Sequence, residues 1–203
     1  VAYAADVAQI DSIVGVGQRC LAQQGLPDVV IANAGISVGM DSAVREDLQL
    51  MADLFALNNV GLAATFHPFL EAMRARGAGT LVGIGSVAAI RGLPGHGAYC
   101  ASKAGVVAYC ESLRGECRGC LLVVTIVPVY FATPLTAGNT YGIPFMLQPA
   151  VCAERAARAI ADGVSYRVIP WQMGVVAKLL RLLPNALYDK LLEGRGRKKR
   201  RGE

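Results

Sequence analysis

Tyr99 and Lys103, in the stretch GAYCASKAG, pair a phenol with an ammonium four residues apart. On a helix, positions i and i+4 share one face a turn apart, so the two groups can reach a common site. Such a pair suits acid–base chemistry. An isolated YxxxK spacing also recurs by chance and says little alone. Other groups add weight. Ser86 ends the apolar run GTLVGIGS, Asn58 sits in NNVG at the start of a long helical pattern, and Asn33, Ala34 and Gly35 follow another apolar run.

These groups need elements to position them. Apolar residues recur at helical spacing over 7–24, and Gly25 closes the run. Strands are predicted at 28–32, at GTLVGIGS, at LLVVTIVP and at YRVIP. Helices are predicted after Asp41 or Ser42, over 59–76, from Tyr99 to about Cys117, over 150–162, and in a final apolar stretch. Continuous apolar strands separated by helices imply a parallel sheet covered on both faces. The expected fold is therefore a doubly wound, Rossmann-like α/β sheet with right-handed crossovers. Ligands in such sheets sit beyond the carboxyl ends of the strands, where Asn33, Ser86 and Pro128 fall.

Composition narrows the function classes. A chain of 203 residues, 54% hydrophobic with 23 glycines, fits one α/β domain. Its net charge of +5 resides in the tail at 194–203, whose six basic residues and one acid leave residues 1–193 neutral. The domain at 1–193 thus lacks the basic footprint of a nucleic-acid binder. Six dispersed cysteines favour a reducing cytoplasm over a disulfide scaffold, and the single CxxC at 117–120 falls short of a zinc ligand set. No metal is expected. No run is apolar and long enough to span a membrane, and the stretch VAYAADVAQID lacks the basic n-region and cleavage pattern of a secretory signal.

Together the motifs resemble those of the classical short-chain dehydrogenase/reductase family. The residues that carry the likeness are NAG at 33–35, NNVG at 58–61, Ser86, YCASK at 99–103 and PVYFATP at 128–134. Each is weak singly, but the order and spacing of the set are specific. The resemblance implies hydride transfer between NAD or NADP and a carbonyl compound or secondary alcohol. It implies a catalytic tetrad of Asn58, Ser86, Tyr99 and Lys103. Tyr99 would exchange the proton, Ser86 would polarise the substrate oxygen, and Asn58 would hold a water that links Lys103 to solvent.

Moving a phenol from pKa 10 to 7 needs about 4 kcal/mol. One ammonium at about 4 Å supplies roughly that at an effective dielectric near 20. Lys103 is thus the expected activator of Tyr99. The likeness further implies cofactor contacts from Asp6, Val7, Asn33, Ala34, Gly35, Tyr99, Lys103, Pro128 and Thr133. Val129 stands where the family usually has glycine, so a Cβ there is expected either to crowd the nicotinamide or to alter the local φ/ψ freedom. The family's opening strand and TGxxxGxG turn do not occur in these 203 residues, and the expectation is an N-terminally truncated chain.

The likeness also implies a lid over the substrate at 130–146, and the aromatic and apolar residues there favour a hydrophobic or bulky carbonyl substrate. His96 is expected to be solvated in its glycine-rich loop, and His67 to be a packing or surface residue. The likeness implies a homodimer or homotetramer built through the helices at 59–76 and 98–117. The apolar stretch at 171–192 and the basic tail suit a weak peripheral membrane contact. The alternative to an enzyme is a non-catalytic or membrane-surface-associated binding protein that retains the fold.

Overall fold

Apolar side chains at consecutive strand positions are buried on opposite faces of one sheet. A computed structural model describes residues 1–129, 146–194, 197, 198 and 200. Its strands are β1 (Val29–Ala32), β2 (Thr80–Ile84), β3 (Leu122–Pro128) and β4 (Tyr166–Ile169). They form a parallel sheet in the order β1-β2-β3-β4. The helices are α1 (Ile10–Gln24), α2 (Glu46–Phe55), α3 (Gly61–Arg76), α4 (Gly97–Glu116), α5 (Pro149–Ala161), α6 (Trp171–Leu182) and α7 (Asn185–Leu192).

Val30, Leu81 and Val123 are in register and pack on Phe66, Phe69 and Met73 of α3 and on Val106, Cys110 and Leu113 of α4. The next row places Val82 and Val124 on the other face, against Cys152 and Ala159 of α5. Leu81 and Val82 are both fully buried. Burying such a side chain contributes about 1.5–3 kcal/mol. The expected α/β class, with a parallel sheet covered on both faces, is what the chain adopts.

One expectation about its winding does not hold. The strand order advances in a single direction, so crossovers of one hand would place every helix on one face. Instead α3 and α4 share a face while α5 lies on the other. The crossover from β3 to β4 therefore has the opposite hand from the first two, and not all three are right-handed.

Local chemistry moves several helix ends. The Asp6 carboxylate accepts from the Ala8 N–H at 3.0 Å, forming a turn, and α1 starts only at Ile10. Asp41 does the same for Ala43, which delays α2 to Glu46. The final apolar stretch is two helices, because Leu183 and Pro184 adopt extended backbone between them. The lid positions Tyr130, Phe131, Tyr141 and Phe145, and the proposed contact Thr133, lie outside the described residues.

Gly83 shows how closely α4 sits on the sheet. A Cβ there would lie 2.5 Å from the Cys110 sulfur. Gly83→Ala should cost about 1–3 kcal/mol by overpacking, measured by urea denaturation. Adding Cys110→Ala should recover part of that loss, and failure to do so would contradict the close approach.

Candidate active site

An ammonium is buried at the carboxyl end of β2. Lys103 projects from α4, is 5% exposed, and donates to the Ile84 carbonyl oxygen at 2.9 Å. Burial brings its pKa down from 10.5 to about 8, because desolvation disfavours the charged form. At neutral pH it is still mostly charged. One acceptor leaves two ammonium hydrogens for other partners. Gly35, just past β1, borders the same atom: a Cβ there would lie 3.2 Å from Lys103 Nζ and 3.3 Å from Asn58 Oδ1.

Asn58 occupies a different local structure from the helix start the sequence suggests. It is fully buried within a five-residue π turn, Ala56–Val60, that joins α2 to α3. Such turns widen a helix locally and often mark functional positions. The Asn58 carboxamide accepts from the Ile36 N–H at 2.9 Å and donates to the Ile36 carbonyl at 3.1 Å. Its other amide hydrogen goes to Ser102 Oγ at 2.9 Å. Both amide hydrogens are thus committed. In this geometry the side chain clamps the loop after β1 to α4.

Ser102 completes that clamp, since its hydroxyl also donates to the Tyr99 carbonyl at 2.9 Å. The neighbouring Asn59 donates to the Ser102 carbonyl at 2.8 Å. Neither residue was singled out from the sequence, although Asn59 doubles Asn58 and Ser102 precedes Lys103. Their partners lie more than 40 residues away, beyond the reach of any local pattern.

Tyr99 lies four residues before Lys103 on α4 and packs at the margin of the cluster of Met40, Leu54 and Ala98. Burial pushes its phenol above the usual value, and a hydrogen bond from Ser86 opposes that shift. Ser86 is buried at the end of β2 and caps a short 3-10 turn by accepting from the Ala88 N–H at 3.2 Å. The structure therefore brings Ser86 and Tyr99 together. The lowered phenol pKa expected from Lys103 is not present in this state, because desolvation dominates.

The remaining positions divide. Asn33, Ala34 and Gly35 are exposed beyond β1, at the same sheet end as Lys103. Val7 packs against α3, where a Cβ on Gly61 would lie 2.5 Å from the Val7 carbonyl oxygen. Asp6 is exposed nearby. Pro128 ends β3, and Val129 extends the ladder by donating to the Ile169 carbonyl at 2.9 Å, with its side chain buried. His96 is buried rather than solvated, with Nδ1 3.2 Å from the Pro94 carbonyl. His67 is exposed on α3, as expected. Cys117 lies in the core and Cys120 at its margin.

Part of the basic tail also reaches this region. Arg197 pairs with Asp41 at 3.0 Å and Arg200 with Asp47 at 2.8 Å. Lys198 donates to Ser37 Oγ at 2.6 Å and stands 6.0 Å from the centre of the Tyr99 ring. A run of like charges ordinarily reads as a solvated tail, so its sequence gave no sign of this placement.

Comparison with known proteins follows the same lines. Residues 1–142 match the family model described as short chain dehydrogenase. An uncharacterized oxidoreductase of Myxococcus xanthus is 36% identical over 185 residues, covering 91% of this chain and 73% of that protein. Human epidermal retinol dehydrogenase 2 is 29% identical over 191 residues, covering 90% of this chain and 61% of the relative. A short-chain dehydrogenase structure from Streptomyces avermitilis superposes with a TM-score of 0.71 at 25% identity, covering 95% and 79% of the two chains. A family structure from Burkholderia phymatum in complex with NAD has a TM-score of 0.77, covers 100% of this chain and 80% of its own, and at 18% identity shares the fold.

Asn58→Ala should leave the Ile36 peptide groups unpaired and cost about 2–4 kcal/mol, read as a lowered urea midpoint with an unchanged slope. A loss below about 0.5 kcal/mol would show that the clamp contributes little.

Proposed function

The chain belongs to the short-chain dehydrogenase family, and from that premise we propose that it transfers a hydride between a nicotinamide cofactor and a carbonyl or secondary alcohol, with Tyr99 exchanging the proton. The observation that carries this reading is the convergence of the Ser86 hydroxyl, the Tyr99 phenol and the buried Lys103 ammonium at one end of the sheet. Two features suit a nicotinamide dinucleotide. Lys103 retains two hydrogens that can reach a ribose diol, and the absence of a side chain at Gly35 keeps Lys103 and Asn58 approachable. Asn33, Ala34, Gly35 and Pro128 would line the cofactor's path, with Asp6, Val7 and Thr133 as further proposed contacts.

The bound cofactor supplies a hydride to the substrate carbon, or receives one from it. In reduction the carbonyl π pair moves to oxygen, and that oxygen takes the Tyr99 proton. Ser86 donates a hydrogen bond to the same oxygen and stabilises the charge developing there. Lys103 favours the phenolate that Tyr99 leaves behind. Asn58 keeps the loop after β1 against α4 and so fixes the distance across the crevice. A phenol that burial holds protonated is ready to act as an acid. To act as a base in oxidation, Tyr99 needs further positive charge nearby.

A second reading concerns membrane contact, and it rests on α6 rather than on the tail. Trp171, Val175, Leu179 and Leu182 are exposed at helical spacing along α6, beside Lys178 and Arg181. We propose that this face touches an anionic lipid surface. No helix among the described residues is long and apolar enough to cross a membrane. The tail charges at Arg197 and Arg200 already have carboxylate partners. Flotation with phosphatidylserine vesicles should therefore fall with Leu179→Ser plus Leu182→Ser. Recovery equal to that of the unaltered protein would remove this reading.

Tyr99→Phe should cut turnover by about 10²–10⁴-fold while cofactor affinity is retained. Since Lys103 is charged below about 8 and neutral above it, kcat/KM for reduction should fall as pH rises through about 8. Lys103→Met should lack that limb. Full activity in Tyr99→Phe would overturn the proposed function.

A further inference from the structure

The C-terminal segment carries three described basic side chains, and two of them are used as anchors. Arg200 grips Asp47 through two nitrogens, at 2.8 and 3.0 Å, and pairs in a parallel bridge with Gly39. Asp47 is buried and also accepts from the Asp41 N–H at 2.7 Å. A bidentate contact to a buried carboxylate is geometrically specific. The Arg197–Asp41 pair is more exposed and contributes less. Close packing of Arg197 on Gly95, whose φ is +73°, fits the segment to the loop before α4.

Lys198 lies between these anchors and is used differently. Its ammonium is half-buried, and among the described residues no carboxylate is paired with it. One hydrogen goes to Ser37, and the head group stands over the Tyr99 ring. A partly desolvated cation without an anionic partner favours any negative charge that enters beside it. The neighbour here is the group proposed to exchange a proton with substrate. A ligand held at Tyr99 would therefore meet Lys198 within the span of a small molecule.

We propose that Lys198 is a specificity residue that selects carbonyl substrates bearing a carboxylate, and that the Arg197–Asp41 and Arg200–Asp47 pairs hold it at the site. This rests on the proposed oxidoreductase reading and adds a substrate class to it. The carboxylate binds the ammonium while the carbonyl faces Ser86 and Tyr99. Asp47→Asn, which loosens the main anchor, shifts selectivity in the same direction as removing the Lys198 charge.

The test compares phenylglyoxylate with its methyl ester, which share the ketone and differ in charge. Lys198→Met should lower the acid-to-ester ratio of kcat/KM by about tenfold, the worth of one charge-assisted contact, through KM rather than kcat. Calorimetric titration with phenylglyoxylate should show a similar loss of affinity, and it reads the contact even if neither compound turns over. Absence of turnover would count against the proposed activity on such ketones, whereas the affinities decide the role of Lys198 separately. An unchanged ratio with unchanged affinity would overturn the proposal. So would a rise in kcat/KM for both compounds, which would make the segment an obstruction. Failure of the unaltered protein to bind the anion would also overturn it.

Discussion

The chemistry proposed for this protein turns on keeping one ammonium out of water. Lys103 is held at the end of β2 by a single backbone carbonyl, and desolvation already brings its pKa to about 8. A cation in that condition is poised: it gains from any negative charge that appears beside it. The phenolate of Tyr99 and the hydroxyls of a bound cofactor are the partners the proposed function gives it. Desolvation also keeps the Tyr99 phenol protonated until such a partner pair forms. The two side chains are thus balanced against each other by the same dry environment.

The surrounding architecture exists to hold that balance in place. A parallel sheet buried on both faces gives rigid strand ends, and α4 follows β2 so that Ser86, Tyr99 and Lys103 fall at the same end of the sheet. Gly83 lets α4 approach the sheet closely. The π turn before α3 directs Asn58 inward, where its carboxamide ties Ile36 to Ser102. Each of these devices fixes geometry across the crevice, and none requires a charged group of its own.

Much of this was legible in the chain. The four strands, α3 and α4 follow from apolar runs and glycine punctuation, and the Tyr99–Lys103 spacing places both groups on one helix. What escaped were features decided by partners distant in sequence. Nothing local to ALNNV specifies a π turn, because the register is chosen by contacts to Ile36 and Ser102. His96 looks solvated in RGLPGHG, yet tertiary packing buries it. The basic tail reads as a charge run, but Asp41 and Asp47, more than 150 residues away, give Arg197 and Arg200 their places. That the crossover from β3 to β4 has the opposite hand from the first two could not be read from pattern.

Titration of ring-labelled Tyr99 by NMR tests the balance most directly, with and without oxidised nicotinamide dinucleotide and with and without Lys103→Met. The account predicts a phenol that titrates above its ordinary value of about 10 in the free protein. That value should move toward neutrality when the dinucleotide binds, provided Lys103 is present. A phenol that stays high with the dinucleotide bound, or falls equally in Lys103→Met, would contradict the account.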